Sequence, residues 1–128
     1  MPQPASDIRR YEVAARSTDV FGRVLCNCRN HHFVVDGPVQ NGCPGEAVTP
    51  VEAFLSGVAA CGVELVGVIA KEKGLPIPGV RVAITGEMDR SNPARSDYAV
   101  LNTVRLRFDL SGVTQPQAEE LVHAFKGR

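Results

Sequence analysis

Apolar and polar positions follow two different periods along this chain, and each change of period marks a new element. Tyr11, Val13 and Ala15 alternate with Glu12, Ala14 and Arg16, which predicts a half-buried strand. Gly22 breaks the pattern, and a second strand is expected from Arg23 to Arg29. His31 to Asp36, β-branched at Val34 and Val35, reads as a third, and the three together read as an antiparallel meander. Asp36–Ala47 is rich in Gly, Pro and Asn and reads as loop.

The period then lengthens. Phe54, Val58, Cys61, Leu65 and Val68 recur at helical spacing, and Val51, Leu55, Ala59, Val66 and Ile69 recur on neighbouring faces. Thr49-Pro50-Val51-Glu52 has the form of a capping box, with Thr at N-cap, Pro at N1 and Glu at N3. The helix is predicted from Pro50 to about Lys73, with Gly74 as a left-handed cap and Pro76 blocking continuation. A helix apolar nearly all round is expected to be central and buried.

Period two returns at Val80, Val82 and Ile84, and again at Val104, Leu106, Phe108 and Leu110, with Asp89–Asp97 as a polar loop between them. Thr114 and Gln117 form a second capping box, and Ala118, Leu121, Val122 and Phe125 form the apolar stripe of a short helix ending at Gly127. Strands cluster rather than alternating with helices. The class is therefore α+β, an antiparallel sheet with a long buried central helix. No internal repeat or low-complexity segment is visible.

With 128 residues, a single domain over 11–128 is expected, preceded by a loosely ordered tail over 1–10. Fourteen basic and fourteen acidic residues cancel, so there is no basic excess to mark a nucleic-acid partner or a membrane surface. The start MPQPASDIRR lacks the apolar core of a secretory signal. The Phe54–Ala70 run is interrupted by Glu64 and by four Gly or Ser positions, which makes it a poor membrane span. A cytoplasmic protein is expected, with Cys26, Cys28, Cys43 and Cys61 reduced.

Cys61 is the first candidate for chemistry, as a thiolate that attacks a peroxide. The bland alternative is a small residue in the core. It stands about three turns into the helix, where the helix dipole gives little help, so activation calls for a cation from another element. Glu52 lies nine residues earlier, about 13 Å down the helix axis and on the opposite face, and the capping box already gives it a structural use. Glu64, at i+3, would raise the thiol pKa by its charge alone and would itself need an arginine if buried. Cys26, Cys28 and the histidines His31 and His32 are soft-metal ligand types, but one residue between the cysteines is shorter than usual zinc spacing. No metal and no cofactor is expected. Two other readings stand beside the enzyme: a pocket for a small hydrophobic ligand lined by the apolar helix, and a structural or metal-binding dimer built on Cys26, Cys28 and His31.

The segments HHFVVDGP, TPVEAFLSGVAACGVELV and GVRVAITGEMD carry a resemblance to the OsmC-like superfamily, which includes osmotically inducible protein C and the organic hydroperoxide resistance proteins. The resemblance runs from about Tyr11 to the C-terminus and is closer to the less characterised OsmC-like branch. It implies an intertwined homodimer, with two long helices packed inside wrapped sheets and the active sites at the subunit interface. It implies thiol-dependent reduction of small organic hydroperoxides, part of the response to oxidative stress, with Cys61 as the peroxidatic cysteine. An arginine from the N-terminal strands, Arg23 or Arg29, would hold the thiolate together with a glutamate near the helix start. In that pattern the glutamate directly follows the proline; here Val51 stands there and Glu52 comes one residue later. Arg23, in Phe-Gly-Arg, is the nearest match to the expected Gly-Gly-Arg turn. The resolving cysteine of the pattern follows the last helix, and none of Cys26, Cys28 or Cys43 matches it. The domain is thus expected to lack that resolving segment and to rely on an external thiol reductant.

Overall fold

The N-terminal alternation becomes a three-stranded antiparallel sheet in the computed structural model, which describes residues 7–128. Its strands are β1 (Ala14–Ser17), β2 (Arg23–Cys28) and β3 (His31–Asp36), in the order β1-β2-β3. Ala15 opposes Cys26; Val24 opposes Val35; Cys28 opposes His31; Arg23 opposes Asp36. β1 begins three residues later than the alternation suggests, and Tyr11 and Val13 are exposed. The cause is its partner: Ala14 pairs with Asn27, and the chain turns away just beyond, at Arg29 and Asn30. Part of the expected tail, residues 1–6, lies outside the described residues.

The chain divides into two compact units, the boundary falling between Ala53 and Phe54. Helix α1 (Pro50–Glu72) starts in the first and continues through the second. The second unit also holds β4 (Val80–Glu87), β5 (Thr103–Leu110) and α2 (Gln115–Phe125). β4 and β5 form a sheet of their own, with Val82 opposite Phe108 and Ile84 opposite Leu106. The class is α+β, but the single antiparallel sheet expected from the sequence is two. Gly74 takes φ 69° just past α1, as its C-cap position requires. Thr114 and Gln117 form the reciprocal capping box at the start of α2.

Within the second unit, Val66, Ile69 and Ala70 of α1 pack with Leu121 of α2 to make the core. Phe108 and Phe125 extend it, their ring centroids 5.5 Å apart. Ion pairs Lys73–Glu120 and Arg128–Glu72 tie the end of α1 to α2. The expectation that α1 is buried nearly all round does not hold within this chain. Only Gly62, Val66, Ile69 and Ala70 are buried, while Phe54, Val63 and Val68 are exposed. The second unit packs one face of the helix and leaves another open. By length and composition α1 is apolar enough to cross a membrane. One face of it packs into the core of the second unit, and Glu64 at its middle is exposed.

Candidate functional site

Cys61 is exposed, so its placement is not that of a small core residue. Its neighbour explains this. Gly62 is buried against β4 and β5, and a Cβ at that position would lie 3.1 Å from the Phe108 ring and 3.4 Å from the Val82 side chain. A side chain here would require the Phe108 ring to give by a few tenths of an ångström, so the glycine favours the close approach of helix and sheet. One residue is about 100° of helical rotation, so Cys61 is turned off the packed face. Its thiol is free, and Glu64 is likewise exposed.

Arg23 stands at the first position of β2, directly opposite Asp36 at the last position of β3. Gly22, at φ 81° in the turn before it, supplies the left-handed conformation that turn needs. The guanidinium and carboxylate meet through two bonds: Arg23 Nε donates to Oδ1 at 2.8 Å and Nη2 to Oδ2 at 2.9 Å. Asp36 is fully buried, whereas the Arg23 side chain is 30 % exposed. The backbone N–H groups of Glu46 and Ala47 also donate to Oδ2, at 3.0 and 2.9 Å. These contacts hold the Asp36 carboxyl well below the usual carboxylate range, the Arg23 hydrogen bond first, against the desolvation that opposes them. The same bond pushes the Arg23 guanidinium above its ordinary value. Sequence reasoning did not single out Asp36. An acidic residue closing a β-branched strand was the available signal.

Glu46 approaches Arg23 Nη2 at 3.4 Å and remains largely exposed. Glu52 is used at the helix start. Its Oε1 accepts from the Thr49 N–H at 2.9 Å and from the Thr49 hydroxyl at 2.8 Å, and those two bonds lower its pKa. The expected cap is therefore present on its glutamate side, with the hydroxyl donating to the same oxygen.

Arg29 is the other candidate arginine, and it lies just past the opposite end of β2 from Arg23. It occupies the hairpin turn at φ 55° and lines an open groove of about 760 Å³ with Arg10, Tyr11 and Cys28. Arg23 and Arg29 thus belong to different sites on the sheet. Cys28 and His31 face each other across that hairpin, so the chain does turn at Asn30. Among the described residues, no three His, Cys, Asp or Glu side chains converge to hold a metal ion. Cys43 is lodged against the backbone of two glycines. A Cβ on either Gly22 or Gly37 would lie 2.4 Å from its sulfur.

The fold and its free helix thiol define an α+β protein with a cysteine presented from a long apolar helix. The sequence profile described as OsmC-like protein matches residues 43–128, and the chain belongs to that family. No match emerges among curated protein sequences. An OsmC-like protein from Mycoplasma pneumoniae superposes with a TM-score of 0.80 at 20 % identity, covering 94 % of this chain and 82 % of that one. An organic hydroperoxide resistance protein from Elizabethkingia anophelis gives a TM-score of 0.76 at 17 % identity, over 96 % and 85 % of the two chains. One from Legionella pneumophila, also described as a predicted redox protein, gives 0.74 at 19 % identity, over 95 % and 85 %. At these identities the likeness is one of fold.

Proposed function

We propose that this protein is a thiol-dependent reductase of small organic hydroperoxides that acts through Cys61. The observation that carries the reading is the exposed, unpaired thiol on the open face of α1. The OsmC-like family and the fold shared with hydroperoxide resistance proteins support it. The Cys61 thiolate attacks the terminal oxygen of the hydroperoxide. An S–O bond forms, the O–O bond breaks, and the alcohol leaves after taking a proton, so that Cys61 becomes a sulfenic acid. An external thiol then attacks that sulfur and releases water. A second thiol attacks the mixed disulfide, giving the external disulfide and the restored Cys61 thiol.

Arg23 supplies the positive charge that favours the thiolate and the developing oxyanion, with Arg29 as the other candidate. Glu52 lies on the far side of its own helix from Cys61, so it completes the set only across the dimer, through Oε2, with Oε1 committed to Thr49. The protein works as a homodimer. The exposed Phe54 and Val68 on α1 support this: each lies seven residues from Cys61 on the same stripe, so a second copy that covers them sets the thiol at the rim of the interface. A cytoplasmic setting fits a cycle that depends on reducing thiols.

The test mixes reduced protein with an organic hydroperoxide, traps sulfenic acid with a dimedone-type reagent and maps the adduct by mass spectrometry. The expected adduct is on Cys61, formed faster than on Cys26, Cys28 or Cys43, with peroxide consumption lost in Cys61→Ser. Equal, slow labelling of all four, or undiminished consumption by Cys61→Ser, overturns the reading. It would leave the open face of α1 as the lining of a site for a small hydrophobic ligand.

A further inference from the structure

We propose that the groove beside the β2–β3 turn is a second site, which takes a small carboxylate-bearing disulfide and captures half of it on Cys28. The groove lies wholly within the first unit and does not depend on Cys61. It opens where a strand stops. Pairing of β1 with β2 ends at Ala14 and Asn27, and residues 10–13 run on past Cys28 and Arg29 without joining the ladder. The space between them holds about 760 Å³, within the range of small-molecule sites. Arg10, Arg29 and Glu12 bring the charges, so cations outnumber acids by two to one. Among the described residues, neither of these guanidinium groups takes part in an ion pair. Tyr11 and Val13, both exposed, offer apolar contact to the carbon skeleton of a ligand.

Arg29 carries the argument. Among the described residues it is the one non-glycine with positive φ, at 55°, and it opens a two-residue turn between Cys28 and His31. That position favours glycine, because an L side chain crowds its own backbone there. An arginine in so disfavoured a place points to a use for its side chain. Cys28 borders the same groove and carries a free, half-buried thiol. Its cross-strand partner is His31, and opposed residues of an antiparallel pair share a face, with Cβ atoms about 4.5–5.5 Å apart. His31 is thus placed to take the thiol proton. The Cys28 thiolate attacks one sulfur of the bound disulfide. A new S–S bond forms to Cys28, the old one breaks, and the departing thiolate takes up a proton. Cys28 is oxidised and one ligand sulfur is reduced. Arg10 and Arg29 pair with the carboxylates of the ligand, which a neutral disulfide lacks.

The experiment exposes the reduced, full-length chain to dithiodiglycolate, a dianionic disulfide, or to the neutral hydroxyethyl disulfide, and maps mixed disulfides at each cysteine over time by mass spectrometry. The same two rates on N-acetylcysteine amide, a neutral free thiol, give the reference ratio. The expected ratio of anionic to neutral capture at Cys28 is several-fold above that reference. It falls several-fold in Arg10→Gln and in Arg29→Gly, while chemical denaturation shows Arg29→Gly to be no less stable than wild type, because glycine suits the turn. The proposal is overturned by a Cys28 ratio no higher than the reference, or by an unchanged ratio in either variant. It is also overturned if Arg29→Gly lowers the ratio and the stability together, because the arginine would then shape the hairpin rather than hold the ligand. Cys61 is read in the same digest, so the outcome at Cys28 stands whether or not Cys61 reacts.

Discussion

Arg23 and Asp36 face each other across adjacent strands and meet through two parallel N–H···O bonds of 2.8 and 2.9 Å, the carboxylate fully buried and the guanidinium partly in solvent. The register of β2 on β3 places them opposite. The returning loop then closes over the carboxylate with two backbone N–H groups. The pair therefore has consequences for stability.

The first consequence is acid sensitivity of a definite sign. The pKa of Asp36 is lowered on folding, so the native state binds its proton more weakly than the unfolded chain does. The stability this contributes is complete above the pKa of an unfolded aspartate, about 3.9, and is lost as pH falls toward the lower native value. Denaturant titrations of wild type and Asp36→Asn from neutral to acid pH should show a stability difference that shrinks below about pH 4. A difference that stays constant through that range would show that the carboxylate is not the group responsible.

Thiol labelling should separate Cys61 from Cys26. Cys61 is exposed, whereas Cys26 is 9 % exposed and sits in the middle strand of its sheet. In the native protein a maleimide should reach Cys26 last, with a rate that rises when denaturant opens the first sheet. Peptide mapping after a time course gives the order. Labelling of Cys26 as early as Cys61 would contradict the burial of β2.

Leu121 is fully buried against Val66, Ile69 and Ala70 and is the α2 residue that closes the core of the second unit. Leu121→Ala should cost about 2–5 kcal/mol, the range for a leucine deleted from a packed core. Chemical denaturation measures it, and a loss under about 1 kcal/mol would mean that the site collapses to fill the cavity.

Gly62 sets how closely α1 approaches the sheet. Gly62→Val adds three carbons where the first would already lie 3.1 Å from Phe108. Overpacking of this kind typically costs about 1–3 kcal/mol. Because Cys61 is adjacent, the same substitution should also change the alkylation rate of that thiol. An unaltered rate together with unaltered stability would mean that helix and sheet are not in close contact at this point.

How much of this was legible in the sequence follows from the range of each interaction. The helix from Pro50 and the box at Thr114 are local, written in residues three or four apart, and both were readable. So was the strand His31–Asp36, whose bounds the sequence predicted to the residue. The start of β1 was not, because Tyr11 and Val13 alternate correctly but have no partner strand beside them. Nor was the split into two sheets, since alternation identifies a face and says nothing about which strand lies next to which. Arg23 was marked as a candidate from the Phe-Gly-Arg turn. Its partner Asp36 was missed because their meeting depends on register across a hairpin and on a loop folding back ten residues later.

The sulfur of Cys43 rests where the side chains of Gly22 and Gly37 would otherwise be. Those two glycines flank the pair directly, Gly22 before Arg23 and Gly37 after Asp36. Three positions distant in sequence therefore share a single allotment of volume, and none of them can vary alone. An alanine at Gly37 calls for a smaller residue at 43, and Cys43→Gly would leave a hole that neither glycine can fill. Substitutions at these sites should be strongly non-additive, and related chains that differ at one of them should differ at another. The correlation would be visible in an alignment before any protein is made.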